Sequence, residues 1–399
     1  MIDFRKAQEI VLQHARSFGR ETVPLEEALG RVLGETIRAD RDYPPFDRAS
    51  MDGYAVRFAD LESGIRRFTV AETIFAGGLP QRPIAGGECY KIMTGAAVPA
   101  AADTIIRRED AEETDGVLCL PTVWEEEWAP FQNIARKGED LASGAVVIDG
   151  ACICEPAIIG LLATLGHTTV TLERMPRIGL LTTGDEVVAA DAAPGAVQIR
   201  NSNRWLLDAA LKKLGVGLAA WAHASDDPPV LRQRAGELLS GNDLLILCGG
   251  VSAGDADHVP EVLEQIGVLK LFHKVAMRPG KPLWCGITKE GKMVFALPGN
   301  PFSCLVNMIL MIRPYLRACY GLQPAEPIGL PLEAARKKRS PLDEFFPVYV
   351  HGTPARVTPV TLNGSGDIRL GRQANALALH PAASGDLPRD AVVSCYSFV

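Results

Sequence analysis

The chain has no apolar run of 18 residues, so no membrane-spanning helix is expected from it. It also has no excess of positive charge. With 41 Lys and Arg against 48 Asp and Glu, its net charge of −7 gives no general pull towards nucleic acid or an acidic membrane. An anionic ligand must then be held by a local basic site. The opening Met1-Ile2-Asp3-Phe4-Arg5-Lys6 lacks the charged-then-apolar layout of a secretory signal. Nine cysteines are present, but none fall into a paired framework, and the one-residue gap of Cys152-Ile153-Cys154 is too tight for a zinc knuckle. Cys248, Cys285 and Cys304 sit inside apolar runs and read as small buried hydrophobes. This usage implies a reducing compartment, hence a cytoplasmic location. No His or Cys stands out as a nucleophile, and His258 beside Asp257 reads as structural. There is no Walker A loop and no Gly-x-Gly-x-x-Gly dinucleotide loop. Repeats and low-complexity tracts are likewise missing.

What the chain does have is length and shaped loops. At 399 residues it exceeds a single hydrophobic core, so several domains are expected. Ala7, Ile10, Val11 and Ala15 recur at helical spacing and predict a helix over 4–18, and Pro24 opens a second helical run over 25–33. Over 66–120, Gly77-Gly78, Gly86-Gly87, Gly95 and Pro99 punctuate short runs without a helical period, which predicts a β-rich insert. Residues 155–165 are helical again, with Pro156 in the first turn and Gly166 as the stop. From Arg177 onward, apolar strands alternate with amphipathic helices, the pattern of a doubly wound α/β domain. Its later part shows a strand pair around Lys289-Glu290-Gly291 and a helix from Pro301 to about Cys319 behind an Asn300 cap. Beyond Pro324 the short alternating runs predict a small β-barrel or sandwich.

In open α/β sheets, ligands bind beyond the carboxyl ends of the strands. Two loops fall at such ends, a third lies near one, and two more add cations and a helix start. Thr182-Thr183-Gly184-Asp185-Glu186 follows the first strand. Asp226-Asp227-Pro228-Pro229 follows the second. Gly249-Gly250-Val251-Ser252-Ala253-Gly254-Asp255-Ala256-Asp257 follows the third, where glycines can turn N–H groups towards an anion and Ser252 adds a hydroxyl. Asp257 can either cap the next helix or bind a metal. Glu186, Asp226 and Asp257 together would offer oxygen-only ligands, which suit Mg²⁺. The fourth loop, Met277 to Pro282, fixes Arg278 and Lys281 between prolines, with Lys274 just before it, and reads as an anion site or a solvated turn. The fifth, Leu297-Pro298-Gly299-Asn300-Pro301, is an anion seat or a plain helix start. Acids for a divalent cation, a glycine nest and placed cations suit phosphoryl or nucleotidyl chemistry on an anionic substrate.

The most unusual stretch is 42–57, which holds Pro44-Pro45-Phe46-Asp47 and Ser50-Met51-Asp52-Gly53-Tyr54-Ala55-Val56-Arg57. Its prolines forbid a regular helix, and Asp52-Gly53 reads as a tight turn whose glycine takes positive φ. Together with Ile92-Met93-Thr94-Gly95-Ala96, Gly138-Glu139-Asp140, Thr182 to Glu186, Asn201 to Arg204, Gly249 to Asp257, Pro279-Gly280-Lys281-Pro282 and Leu297 to Pro301, it resembles the molybdopterin molybdenumtransferases, the MoeA family. The resemblance covers nearly the whole chain. It implies a multidomain α/β protein in four regions. These are an elongated helical region over 1–43 and 141–173, a β-rich insert over 44–140, a molybdopterin-binding α/β domain over 174–322 and a C-terminal β-barrel over 323–399. It also implies a homodimer in which Asp52, Thr94 and Asp140 of one subunit approach the loops of the other. The implied reaction takes adenylylated molybdopterin and molybdate, releases AMP and leaves molybdenum on the dithiolene. Glu186, Asp226 and Asp257 would be the catalytic acids and the Mg²⁺ ligands. Gly249, Gly250, Ser252, Lys274, Arg278, Lys281, Pro298 and Pro301 would contact substrate. A molybdopterin adenylyltransferase is an implied partner; that enzyme's own reaction and a gephyrin-like scaffold role are the alternatives. Two departures stand out. Arg278 stands where the family commonly has lysine, and Arg369-Leu370 replaces a serine pair.

Overall fold

The computed structural model describes residues 1–121, 128–251 and 257–398. They divide into two compact units. The larger comprises 1–35, 150–159 and 168–399; the smaller comprises 36–149 and 160–167.

The larger unit is built on a six-stranded sheet in the order Leu218–Ala224, Ile178–Thr183, Leu244–Cys248, Met293–Leu297, Trp284–Ile287, Leu269–His273. The first four strands are parallel, and the last two join by antiparallel pairing. Alternation along the strands explains why helices cover both faces. Leu244, Ile246, Cys248, Phe295 and Leu297 face one buried cluster with the helices Asn203–Lys212 and Pro301–Asn307. Leu245, Leu247, Val294 and Ala296 face the other, with Pro228–Gly241 and Val259–Gln265. The chain leaves Ile178–Thr183 for the strand on one side and then crosses to Leu244–Cys248 on the other. The sheet's switch point therefore lies between the ends of these two strands.

The apolar helical run that begins at Pro301 continues to Cys319. An 18-residue window of this 19-residue helix has a mean hydropathy of 1.2, enough by length and composition to cross a membrane, so the expectation that no such run exists is corrected. It is 72% buried and fills the sheet's larger core. Pro314 has no N–H to give the Leu310 carbonyl, and the run loosens into a π-turn over Met308–Ile312. The Gln8 side chain donates to that carbonyl at 2.7 Å and fills the gap. Gln8 lies on the helix Phe4–Gln13, capped by Asp3, which accepts from the Arg5 N–H at 2.8 Å.

The helical reading of 25–33 fails. Only Leu25–Glu27 forms a single 3₁₀ turn, while Arg20–Pro24 and Val32–Leu33 are strands. They pair with Thr169–Glu173, far along the chain, and Cys152–Ile153 completes the four-stranded sheet. A nine-residue run cannot carry the cost of helix nucleation when strand partners are available. The region expected to be helical is thus half sheet. At the C-terminal end, Ile328–Pro331, Val392–Ser397, Ala376–His380, Asp343–His351 and Arg356–Pro359 pair in succession, and a bridge between Leu332 and Val357 closes the ring. Met277–Arg278 adds to Asp343–His351 in parallel, with Arg278 opposite Glu344.

The smaller unit holds a six-stranded sheet in the order Thr104–Arg107, Gly53–Val56, Glu88–Ile92, Arg67–Ile74, Val117–Cys119, Glu112–Thr114. Gly53 opens a strand and does not take positive φ. It is needed for another reason: a Cβ there would lie 2.0 Å from the Ile106 carbonyl oxygen.

Candidate functional site

A cleft of about 1490 Å³ opens at the switch point of the larger unit's sheet. Its floor is set by the strand ends. Gly249 has φ +106°, and a Cβ on it would fall 2.5 Å from Thr183 Oγ1, so the two strand-end loops close on each other only with glycine here. The Gly249 N–H donates to the Leu297 carbonyl at 3.0 Å. That amide is therefore committed to the sheet and does not serve the expected anion nest. Gly250 N–H has no acceptor among the described residues. Ser252 lies outside the described residues.

Around the floor, buried polar side chains hold the loops. Asn201 donates to Thr182 Oγ1 at 2.8 Å, Thr182 Oγ1 meets His223 Nδ1 at 3.1 Å, and Asn201 Oδ1 accepts the Arg204 N–H at 3.2 Å. Asn203 Nδ2 donates to the Gly299 carbonyl at 2.6 Å. The Cys304 thiol donates to the Pro298 carbonyl at 2.8 Å, and full burial pushes its pKa well up, which keeps it a protonated strut. Three polar atoms of the lining are buried without a hydrogen-bond partner among the described residues: Thr183 Oγ1, Asn203 Oδ1 and Glu344 Oε2, the last of which is ion-paired with Arg336. Such atoms carry a desolvation cost until something polar meets them.

Glu186, Asp226 and Asp257 all line the cleft. Neither aspartate sits at a helix cap position: Asp227 precedes Pro228–Gly241 and His258 precedes Val259–Gln265. The Asp226 carboxyl is held above its ordinary pKa, first by burial, then by the negative charges of Asp185 and Glu186, and to a smaller degree by Asp257. These carboxylates feel one another. Yet among the described residues no three His, Cys, Asp or Glu side chains form a ready-made metal cage. That fits Mg²⁺, which is held by one or two carboxylates and completes its shell with substrate phosphate and water.

Arg278, Lys281, Pro298 and Pro301 line the same cleft. Lys274 does not. Its backbone is left-handed, at φ +69°, and is spent on pairing: its N–H goes to the Leu283 carbonyl at 2.9 Å and its carbonyl accepts the Ile2 N–H at 3.0 Å. Asn300 holds the cap position before Pro301 without a side-chain cap bond. In the smaller unit, Asp52 and Thr94 meet: Asp52 Oδ1 accepts the Thr94 N–H at 2.8 Å and its hydroxyl at 2.7 Å, and these bonds hold the Asp52 carboxyl below its ordinary range. Asp140 is exposed elsewhere in that unit, its own N–H bonded to the Tyr43 carbonyl at 3.0 Å.

Sequence reasoning missed the other basic lining. Arg336, Lys337, Lys338 and Arg339 belong to the cleft, with Ser340 and the 359–365 loop. The signal was four consecutive cations in an acidic chain, passed over because they lie in the Pro- and Gly-rich C-terminal stretch.

Comparison with known proteins supports a single relationship. Residues 2–166 match the pattern described as MoeA N-terminal region (domain I and II), and residues 179–318 match a probable molybdopterin binding domain. A molybdopterin molybdenumtransferase from Synechocystis is 33% identical over 92% of this chain and 92% of its own length. One solved structure of the molybdopterin biosynthesis MoeA protein from Pyrococcus horikoshii is 30% identical, with a TM-score of 0.82, covering 100% of this chain and 99% of that one. Another is 26% identical with a TM-score of 0.86, and covers both chains completely.

Proposed function

Because the chain belongs to the molybdopterin molybdenumtransferase (MoeA) family, we propose that it inserts molybdenum into molybdopterin during molybdenum cofactor biosynthesis, taking adenylylated molybdopterin and molybdate and releasing AMP. The observation that carries this reading is a single cleft lined by mutually repelling acids and by cations, two of which have no ion pair among the described residues. The Asp226 pKa is raised first by burial and then by the negative charges of Asp185, Glu186 and Asp257, while the Arg278 and Lys281 side chains have no ion pair among the described residues. Such a cleft suits a diphosphate and an oxyanion together with a divalent cation.

Glu186, Asp226 and Asp257 are the residues that would hold Mg²⁺, which would offset the diphosphate's negative charge. Arg278 and Lys281 hold molybdate or the pterin phosphate as the bond to AMP breaks. Thr183 Oγ1 gives a hydrogen bond to the bound substrate or takes one from it, and Asn203 Oδ1 accepts one, which relieves their unpaired state. A homodimer, in which Asp52, Thr94 and Asp140 serve the partner subunit's substrate, belongs to the same proposal. So do supply of the substrate by an adenylyltransferase partner and a cytoplasmic location.

The test is AMP release from adenylylated molybdopterin with and without molybdate. Molybdate-dependent AMP release supports the reading. Consumption of ATP with plain molybdopterin would instead make the chain an adenylyltransferase, and failure to turn over either substrate would favour a scaffold. Sedimentation at micromolar concentration tests the dimer.

A further inference from the structure

The basic lining from the C-terminal ring is organised by alternation. Arg336 and Lys338 are turned in and tethered; Lys337 and Arg339 are exposed, and their side chains have no partner among the described residues. The Arg336 guanidinium lies 4.0 Å over the Phe346 ring, contacts His380 Nδ1, and stands 2.6 Å from Glu344 Oε2. That last contact is an ion pair. Lys338 Nζ donates to the carbonyls of Leu342, His380 and Pro381 at 2.9, 2.9 and 2.7 Å. Its charge is thus absorbed by the protein.

Glu344 ties the two ends of this turn. It is 3% exposed, its Oε2 meets the head of Arg336, and its Oε1 accepts the Arg339 N–H at 2.9 Å. Its own backbone is paired with Arg278 of the other cationic loop. One buried carboxylate therefore stands at the junction of both basic segments of the cleft. A buried carboxylate is costly unless it is paired and hydrogen-bonded, and four consecutive cations repel one another. Glu344 offsets both costs while spending only Arg336's charge.

We infer that Glu344 is a positioning residue: it fixes the Arg336–Arg339 turn so that Lys337 and Arg339 present their charges to the phosphate-bearing substrate in the cleft. The inference rests on the proposed function for the identity of the substrate, but not for the presence of an anion seat. No step of the reaction passes through Glu344 itself.

The experiment is a double-mutant cycle on the full chain, with inorganic pyrophosphate as the probe, measured by calorimetry at two salt concentrations. K337A/R339A, both exposed positions, should fold normally, weaken pyrophosphate binding about tenfold and flatten its salt dependence. E344Q should produce a similar loss alone, and nothing further when added to K337A/R339A, because Glu344 acts through those two side chains. Additive losses would make Glu344 merely structural and overturn the inference. So would unchanged affinity in K337A/R339A, which remains decisive should E344Q fail to fold. Wild-type turnover separates the two readings. If AMP release fails while the cycle behaves as described, the proposed function falls and the anion seat stands. If AMP release holds and the cycle fails, only this inference falls.

Discussion

The two sides of the cleft solve opposite electrostatic problems. The acids at the strand ends are left in conflict: Asp226 is half-buried, and its pKa is raised first by that burial and then by the negative charges of Asp185, Glu186 and Asp257. The cations from the C-terminal ring are instead settled within the protein, two by carbonyls, a ring and a buried carboxylate, with two left facing out. The difference teaches that like charges can be left unrelieved on one side of a cleft and braced on the other. A cluster of like charges that is strained without ligand gains most from binding a counter-ion, whereas a braced turn gains its use from geometry.

The sharpest way to break this comparison is at the acids. Asp257→Asn should cost on the order of 100-fold or more in AMP release with the fold intact by circular dichroism. Unchanged turnover would remove Asp257 from the mechanism. Gly249→Ala comes next. Its Cβ would meet Thr183 Oγ1 at 2.5 Å in a backbone that side chains rarely adopt, so a loss of roughly 2 kcal/mol in unfolding free energy is expected by denaturant titration. A neutral result would mean that the two strand-end loops move apart freely.

A smaller effect concerns the strain itself. The Asp226 pKa is raised in the folded state, so protonation favours the fold, and that contribution is lost as pH rises through the folded pKa. Asp226→Asn should therefore raise the melting temperature at pH 7 without metal and leave it little changed below the carboxylate range. It should also reduce the stabilisation that millimolar Mg²⁺ gives the wild type. If Mg²⁺ stabilises both proteins equally, the acids do not hold it. The smallest effect lies on the basic side. His380 accepts from Arg336 at Nδ1 and donates from Nε2 to the Gly385 carbonyl at 2.7 Å, and burial first, with Arg336 and Lys338 nearby, holds its pKa below 6.5. Its contribution is present above pH 6.5 and is lost as pH falls through the folded pKa. Unfolding measured from pH 7.5 to 5 should show that loss, and His380→Gln should reduce it.

Much of this arrangement was legible in the chain. Apolar strands followed by loops of Gly, Asp and Thr located the acids, because the carboxyl ends of parallel strands are where an open sheet exposes its backbone. Asp226, Asp257 and Glu186 were found that way, as were Arg278 and Lys281. The basic turn at Arg336 escaped because nothing local distinguishes a braced cation from a solvated one. Only pairing of Met277–Arg278 with the ring brings Arg278 opposite Glu344 and makes the C-terminal stretch part of the cleft. Lys274 shows the converse: its charge is visible in sequence, but its left-handed backbone and its pairing with Ile2 are not.

The order of residues by itself determined the alternating strands and helices, the loops at the strand ends and the family likeness, because hydrophobic period and turn chemistry are local properties. Tertiary structure alone decided that 20–24 and 32–33 are strands, that Gly53 is required by a close carbonyl and not by its φ, and that Glu344 gathers two cationic loops at one place. Each of those depends on groups distant in the chain, and only folding brings their atoms within a few ångströms.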